Sequence, residues 1–268
     1  MSTENNRPAI QYSCYFSRSR AGEQFVPEHA VSYILSGNIE INDGASNYVF
    51  KEGDLYFCRR NSLAKFTKLT GAGGEFRSIS IFFDQDVLRS FALEYNYGPG
   101  KNLRPPSFLP IATDSVLGSY MESLKAYEDA FKGPGAENLL AVKRKEALLL
   151  LLQTRPELKD VLFDLSEPGK IDIEAFMQQH YHFNVEIKKF AYLTGRSLST
   201  FKRDFEKVFH ETPSRWLVSK RLQEAYHLIK DKGKIASDIY LDLGFEDLSH
   251  FSFAFKKQYG VAPSLLTA

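Results

Sequence analysis

The sequence predicts an α+β protein in three parts: an antiparallel β-barrel or sandwich, a helical segment, and an all-α part built from two helix-turn-helix units joined by a long helix. Three observations carry this. Between residues 10 and 83, short apolar or alternating runs such as VSYILSG, NIEIND, LYFCRRN and EFRSISIFF are broken by Gly37, Asn42-Asp43-Gly44, Gly53-Asp54 and Gly71-Ala72-Gly73-Gly74. Beyond Arg104-Pro105-Pro106 the apolar residues recur at helical spacing instead. Finally, the stretch 244–264, GFEDLSHFSFAFKKQYGVAPS, recurs in altered form fifty positions earlier. The expected parts are residues 8–112, 113–165 and 170–268.

Composition narrows the class. The 268 residues are 43% hydrophobic and 25% charged, which suits about two domains with sizeable cores. The formal net charge is +1, so no global excess announces nucleic acid; the basic character is local, from Lys188 to Lys234, and interspersed acids nearly cancel it. Cys14 and Cys58 form no metal motif, and the start MSTENNRP lacks the organisation of a signal peptide, so a reduced cytoplasmic setting is expected. The longest aliphatic run, residues 148–152, is far shorter than the roughly twenty residues that span a bilayer, so no membrane partner is expected and the run reads as a helix core face.

In the first part the strands are four to seven residues long, as in a small antiparallel barrel. A catalytic metal centre needs several converging ligands, and this part has one histidine, His29; Glu28, Glu40 and Glu52 read as strand-edge or turn residues. Neither a metal nor a cofactor is expected, and nothing points to an enzyme. Tyr12, His29, Tyr33, Phe57 and Phe66 are the candidates to line an effector pocket, with His29 expected at its rim or on the surface; the aromatics serve equally as plain core.

In the middle segment Val116, Leu117, Tyr120, Leu124, Tyr127 and Phe131 fall at helical spacing, and after Lys132-Gly133-Pro134-Gly135 a second helix carries Leu139, Leu140, Ala147, Leu148 and Leu151. Ser166-Glu167-Pro168-Gly169 reads as a linker.

The last part begins with helices over 172–181 and 185–193, a turn at Thr194-Gly195-Arg196, and a helix from Ser197, a plausible N-cap. Pro213 opens a helix of eighteen residues to Lys230, a rod of roughly 27 Å. A helix with Ile235, Ile239 and Leu243 then leads through the Gly244-Phe245 turn into a helix from near Asp247, with Phe251 and Phe255 on its buried stripe and Leu248 opening both that stripe and the outer face. Leu198, Ser199, Phe201, Phe205, Lys207, Phe209, Pro213 and Ser214 answer Leu248, Ser249, Phe251, Phe255, Lys257, Tyr259, Pro263 and Ser264. Two copies in register, each with a short, polar, basic outer face, point to duplex DNA.

The C-terminal hundred residues resemble the DNA-binding domain of the AraC/XylS family of bacterial transcriptional regulators. Its second unit has the pattern G-F-x-x-x-S-H-F-S-x-x-F-K-K-x-x-G-x-x-P-S, matched here by Gly244, Phe245, Ser249, His250, Phe251, Ser252, Phe255, Lys256, Lys257, Gly260, Pro263 and Ser264. Two residues depart: Phe253 stands where Arg is common, and Tyr240 where Ala is common, which suggests slightly wider helix spacing. The strand-rich part more loosely resembles the cupin-like sensing domain of that family, and SYILSGNIEIND most resembles the branch with the type III secretion activators.

The resemblance implies a transcriptional regulator, an activator or a repressor, whose barrel controls the DNA-binding part through a small-molecule or protein effector. It also implies a dimer contact on the middle helices and contact with RNA polymerase. Ser199, Thr200, Lys202 and Arg203 in the first unit and Leu248, Ser249, His250, Ser252 and Phe253 in the second are expected to face DNA, with Arg203 suited to guanine and Leu248 or Phe253 to thymine methyls. Lys207, Lys256 and Lys257 are expected on phosphates, and His250 as a cap or backbone contact. His180, His182, His210 and His227 share no ligand spacing and are expected on the surface. The alternatives are a cupin-type small-molecule binder and a protein-interaction adaptor.

Overall fold

The computed structural model describes residues 8–20, 24–101, 103 and 105–266. Residues 1–7 and Arg104, which marked the expected end of the strand-rich part, lie outside them. The chain divides into two compact units, residues 1–166 and 167–268, so the break falls within the stretch expected as a linker.

Among the described residues, the first unit holds ten strands: β1 (Ile10–Tyr15), β2 (Phe25–Val26), β3 (His29–Ser36), β4 (Asn38–Asn42), β5 (Asn47–Lys51), β6 (Leu55–Cys58), β7 (Ser62–Leu63), β8 (Lys65–Leu69), β9 (Phe76–Phe83) and β10 (Phe108–Ile111). Four α-helices accompany them, α1 (Gln85–Glu94), α2 (Val116–Ser123), α3 (Ala136–Thr154) and α4 (Lys159–Leu162), with short 3-10 turns between them. A five-stranded sheet runs in the order β1-β9-β3-β6-β10 and a three-stranded sheet in the order β5-β4-β8, while β2 and β7 form a small pair. The pairings are antiparallel. The α+β class and the antiparallel pairing are as expected. The two sheets pack as an open sandwich, whose ladders end on β10 and β5 without closing into a barrel.

Alternation along the central strands explains the layers. Val31, Leu55, Phe57, Ile79 and Ile81 point to one face, where Leu88 and Phe91 of α1, Leu117 and Met121 of α2, and Leu148 and Leu151 of α3 cover them. Ala30, Ile34, Tyr56 and Phe76 point to the other, against Ile39, Ile41 and Phe50 of the three-stranded sheet. A sheet buried on both sides reads as near-continuous apolar runs, as in LYFC of β6, where all four residues are buried. The helical middle segment thus covers the sheet of its own unit. Helix α1, absent from the sequence expectation, is capped by Asp84, whose side chain accepts the Val87 N–H at 2.8 Å.

This layering corrects the effector-pocket candidates. Tyr12, Tyr33 and Phe57 belong to the helix-covered core, and Phe66 to the core between the sheets, edge-on to Phe108. They are divided between two cores. The Tyr12 hydroxyl donates to the Leu124 carbonyl at 2.6 Å. His29 is 1% exposed, neither rim nor surface; it stacks on Phe57 with centroids 5.3 Å apart, and its Nδ1 accepts the Arg60 N–H at 3.2 Å. The Arg60 guanidinium donates to the carbonyls of Asp164 and Ser166 at 2.7 and 2.8 Å, and so pins the last residues of the unit.

Burial first, then the charges of Arg60 and Arg59, push the His29 pKa from 6.5 down to about 3. An unfolded chain takes up a proton below pH 6.5 that the folded unit refuses until about pH 3, so stability is fully present above 6.5 and drains away as pH falls through that window. Denaturant midpoints of the wild-type first unit should fall between pH 6.5 and 3 more steeply than those of His29→Gln; equal slopes would remove His29 from the account.

Candidate nucleic-acid interface

The second unit is helical: α5 (Ile173–His180), α6 (Ile187–Leu193), α7 (Leu198–Phe209), α8 (Pro213–Lys230), α9 (Ala236–Ile239), α10 (Leu248–Tyr259) and a closing 3-10 turn, Pro263–Leu265. Helix α8 starts and ends where the sequence places it. Its first half gives Trp216 to a cluster with Phe205 and Phe209, at centroid distances of 5.5 and 4.4 Å. Its second half gives Leu222, Ala225 and Ile229 to a core with Ile239, Leu243, Phe245, Phe251 and Phe255. One helix therefore serves two cores.

The duplication repeats down to single atoms. Helix α7 begins at Ser197, whose Oγ accepts the Thr200 N–H at 3.2 Å; α10 begins at Asp247, whose Oδ1 accepts the His250 N–H at 2.6 Å. Phe201 and Phe205, and likewise Phe251 and Phe255, are fully buried one helical turn apart. Both helices end in the left-handed region, at His210 (φ 57°) and Gly260 (φ 77°), and Pro213 and Pro263 each open the next helical segment.

The turns before the two helices also correspond. Gly195 (φ 66°) lies so close to the backbone of Gly169 and Lys170 that a Cβ would sit 2.3 Å from the Gly169 carbon. Gly244 (φ 87°) meets the His182 carbonyl in the same way, at 2.6 Å. Only glycine fits both the dihedral and the approach.

Helices α7 and α10 each turn a polar face to solvent. On α7, Ser199, Lys202, Arg203 and Lys207 are exposed and Thr200 is half-buried, with Arg203 66% exposed and its Nε 3.5 Å from Asp204 Oδ1. On α10, Ser249, His250, Lys256 and Lys257 are exposed, Ser252 is half-buried and Phe253 is 70% exposed. Leu248 is 39% exposed, which removes it from the buried stripe and leaves it on the outer face. Its counterpart Leu198 is equally placed at the start of α7 and was missed as a surface residue, although the sequence register already paired the two. His250 is not a cap: Asp247 caps it, and its ring meets Phe245 edge-on at 5.8 Å.

Other expectations change. Arg196 and Arg221, part of the basic stretch from Lys188 to Lys234, turn inward to backbone carbonyls. Arg196 donates to the carbonyls of Ile171 and Thr194 at 2.9 and 2.7 Å and to Asp204 at 3.2 Å, and it is the first cause of the lowered Asp204 pKa. His180 and His182 are half-buried members of an aromatic stack on Phe176 and Phe183, whereas His210 and His227 are exposed as expected. The helix expected through Ile235, Ile239 and Leu243 spans only four residues, and Ile235 is exposed.

Residues 190–267 match the family described as a helix-turn-helix domain, and residues 29–161 the family described as the ExsA N-terminal regulatory domain. The chain is 25% identical over 255 residues to the HTH-type transcriptional regulator ExsA of Pseudomonas aeruginosa, covering 94% of this chain and 90% of that one. The chain belongs to the AraC/XylS family of transcriptional regulators. A second relative in this family, the virulence regulon transcriptional activator VirF of Yersinia enterocolitica, is 25% identical over 238 residues, 86% of each chain. A crystal structure of ToxT from Vibrio cholerae with an unsaturated fatty acid bound aligns over 97% of this chain and 95% of that one, at 12% identity and a TM-score of 0.41. As a member of this family of DNA-binding regulators, the chain is not an enzyme.

The caps are separable from the outer faces. Asp247→Ala should lower the stability of the second unit by about 1 kcal/mol in chemical denaturation, and Asp247→Asn should keep most of it.

Proposed function

We propose that this AraC/XylS-family regulator is a sequence-specific DNA-binding protein whose recognition helices α7 and α10 enter successive major grooves on one face of duplex DNA. The supporting observation is the pairing itself: two helices with matching caps, matching buried phenylalanines and exposed polar faces, set on either side of an eighteen-residue helix. That helix is roughly 27 Å long, and successive grooves recur roughly every 34 Å, a distance the rod and the width of its partners reach together.

In this reading Arg203 donates two hydrogen bonds to guanine O6 and N7, and Ser199, Thr200, Ser249, His250 and Ser252 complete the polar contacts. Leu248 and Phe253 pack on thymine methyls, joined by Leu198, while Lys202, Lys207, Lys256 and Lys257 hold phosphates and set the register. Activation follows from a DNA-bound chain that contacts RNA polymerase. The first unit senses a small-molecule or protein effector and governs the second, and the outer side of α3, where Val142 and Leu149 are exposed, supports self-association as a dimer. The setting for this work is the cytoplasm; among the described residues, no helix is long and apolar enough to cross a membrane.

The test is fluorescence-anisotropy binding of the full chain to a random duplex pool, before and after selection, at two salt concentrations. Affinity should fall steeply with salt and rise with selection for one motif about two helical turns long. Salt-insensitive or absent binding would refute the reading. On the selected motif Arg203→Ala should cost roughly 1–3 kcal/mol and relax specificity at one position, whereas Lys256→Ala should weaken selected and random DNA alike. Equal losses from both changes on both DNAs would overturn these roles.

A further inference from the structure

Two bodies joined by one rod can still twist about it. Helix α8 is such a rod, and the second unit adds another attachment. We propose that Arg221 is a positioning residue that locks the turn of the second helix-turn-helix onto the loop leading into the first, and thereby fixes the separation and rotation of the two recognition helices. The consequence for DNA rests on the proposed DNA-binding function; the geometry does not.

Arg221 lies midway along α8, where the helix passes from one core to the other, and is 8% exposed. Its Nε donates to the Tyr181 carbonyl and its Nη2 to the Phe183 carbonyl, each at 2.8 Å, and its Nη1 donates to the Gly244 carbonyl at 2.9 Å. Residues 181–183 follow α5 and precede the first helix-turn-helix; Gly244 is the turn of the second. Burial alone pushes the Arg221 pKa down to about 10, which leaves it charged at neutral pH. A buried cation is costly unless its donors are met, and here backbone carbonyls, two of them just past the C-terminal end of α5, meet it. A planar fork can hold three acceptors on two segments of chain, whereas a lysine ammonium is a single point.

The same two segments meet twice more. A Cβ on Gly244 would sit 2.6 Å from the His182 carbonyl and 2.9 Å from Arg221 Cζ. On the surface, Asn184 Nδ2 donates to Glu246 Oε1 at 3.0 Å. Phe183 and Phe245 are buried on either side of the junction. Segments 181–184 and 244–246 therefore close a ring with α8. Shifting one half of a DNA site by a base pair moves it roughly 3.4 Å and turns it by about 34°, so a closed ring admits one spacing and an open one admits several.

The test uses the full chain as wild type, Arg221→Lys and Glu246→Ala. In hydrogen–deuterium exchange, Arg221→Lys should lose protection at 181–184 and 244–246 together, by about tenfold or more, while α8 keeps its own. On the selected DNA site with its two halves moved apart or together by one base pair, wild type should lose roughly tenfold or more in affinity. Arg221→Lys should lose less than about threefold on the same change and bind an isolated half-site as wild type does. Glu246→Ala, a surface change, should move the spacing preference in the same direction. Uniformly weaker binding with undiminished spacing discrimination would overturn the proposal, as would exchange confined to one segment. If Arg221→Lys does not fold, an unchanged spacing profile in Glu246→Ala would overturn it. Wild type that binds no probe at any spacing would refute the DNA reading itself, and the exchange comparison would still decide the ring.

Discussion

A single helix, α8, gives its first half to the aromatic cluster around Phe205 and Phe209 and its second half to the core around Phe251 and Phe255. A sequence of eighteen residues cannot satisfy two cores with one stripe, so the apolar face must rotate along the helix. Arg221 stands at that changeover. It is buried there, and its donors are met by backbone. The three carbonyls it holds are supplied by the loop before one helix-turn-helix and the turn of the other. The arrangement of α7 and α10 follows from how α8 is shared.

The first unit solves a different problem. Its five-stranded sheet is covered on one face by α1, α2 and α3 and on the other by a second sheet, so most of its strand positions are apolar. The aromatics available to an effector are committed to those cores. Tyr12 is further tied by its hydroxyl to Leu124, and Tyr33 lies beside Glu122, with its pKa pushed up to about 12 chiefly by burial. His29 and Arg60 extend the same packing to the end of the unit, because Arg60 holds the carbonyls of Asp164 and Ser166.

The C-terminal unit was more legible in the sequence than the N-terminal one, for a physical reason. Ser197, Pro213, Gly244 and Gly260 act through local backbone chemistry that a sequence displays directly, and the duplication doubled each signal. The phenylalanine pairs 201/205 and 251/255 carry the helical period in plain view. What stayed hidden depended on tertiary partners. Arg196 and Arg221 look like any basic residue until the carbonyls around them are seen. His29 looks like a surface histidine until α4 and β6 bury it. Tyr12 and Phe66 look like neighbours in one pocket because both are aromatic residues of short strands, yet they stand in separate cores. Helix α1 escaped notice because its run, QDVLRSFALE, follows directly on a strand with only Asp84 to mark the change.

The central claim is that two recognition helices, held as one body by α8, read two successive grooves. Hydroxyl-radical footprinting of the full chain on its selected duplex tests it most directly. The account predicts two protected windows on one face of the DNA, centred roughly one helical turn apart. A single window, or protection wrapping both faces, would contradict it.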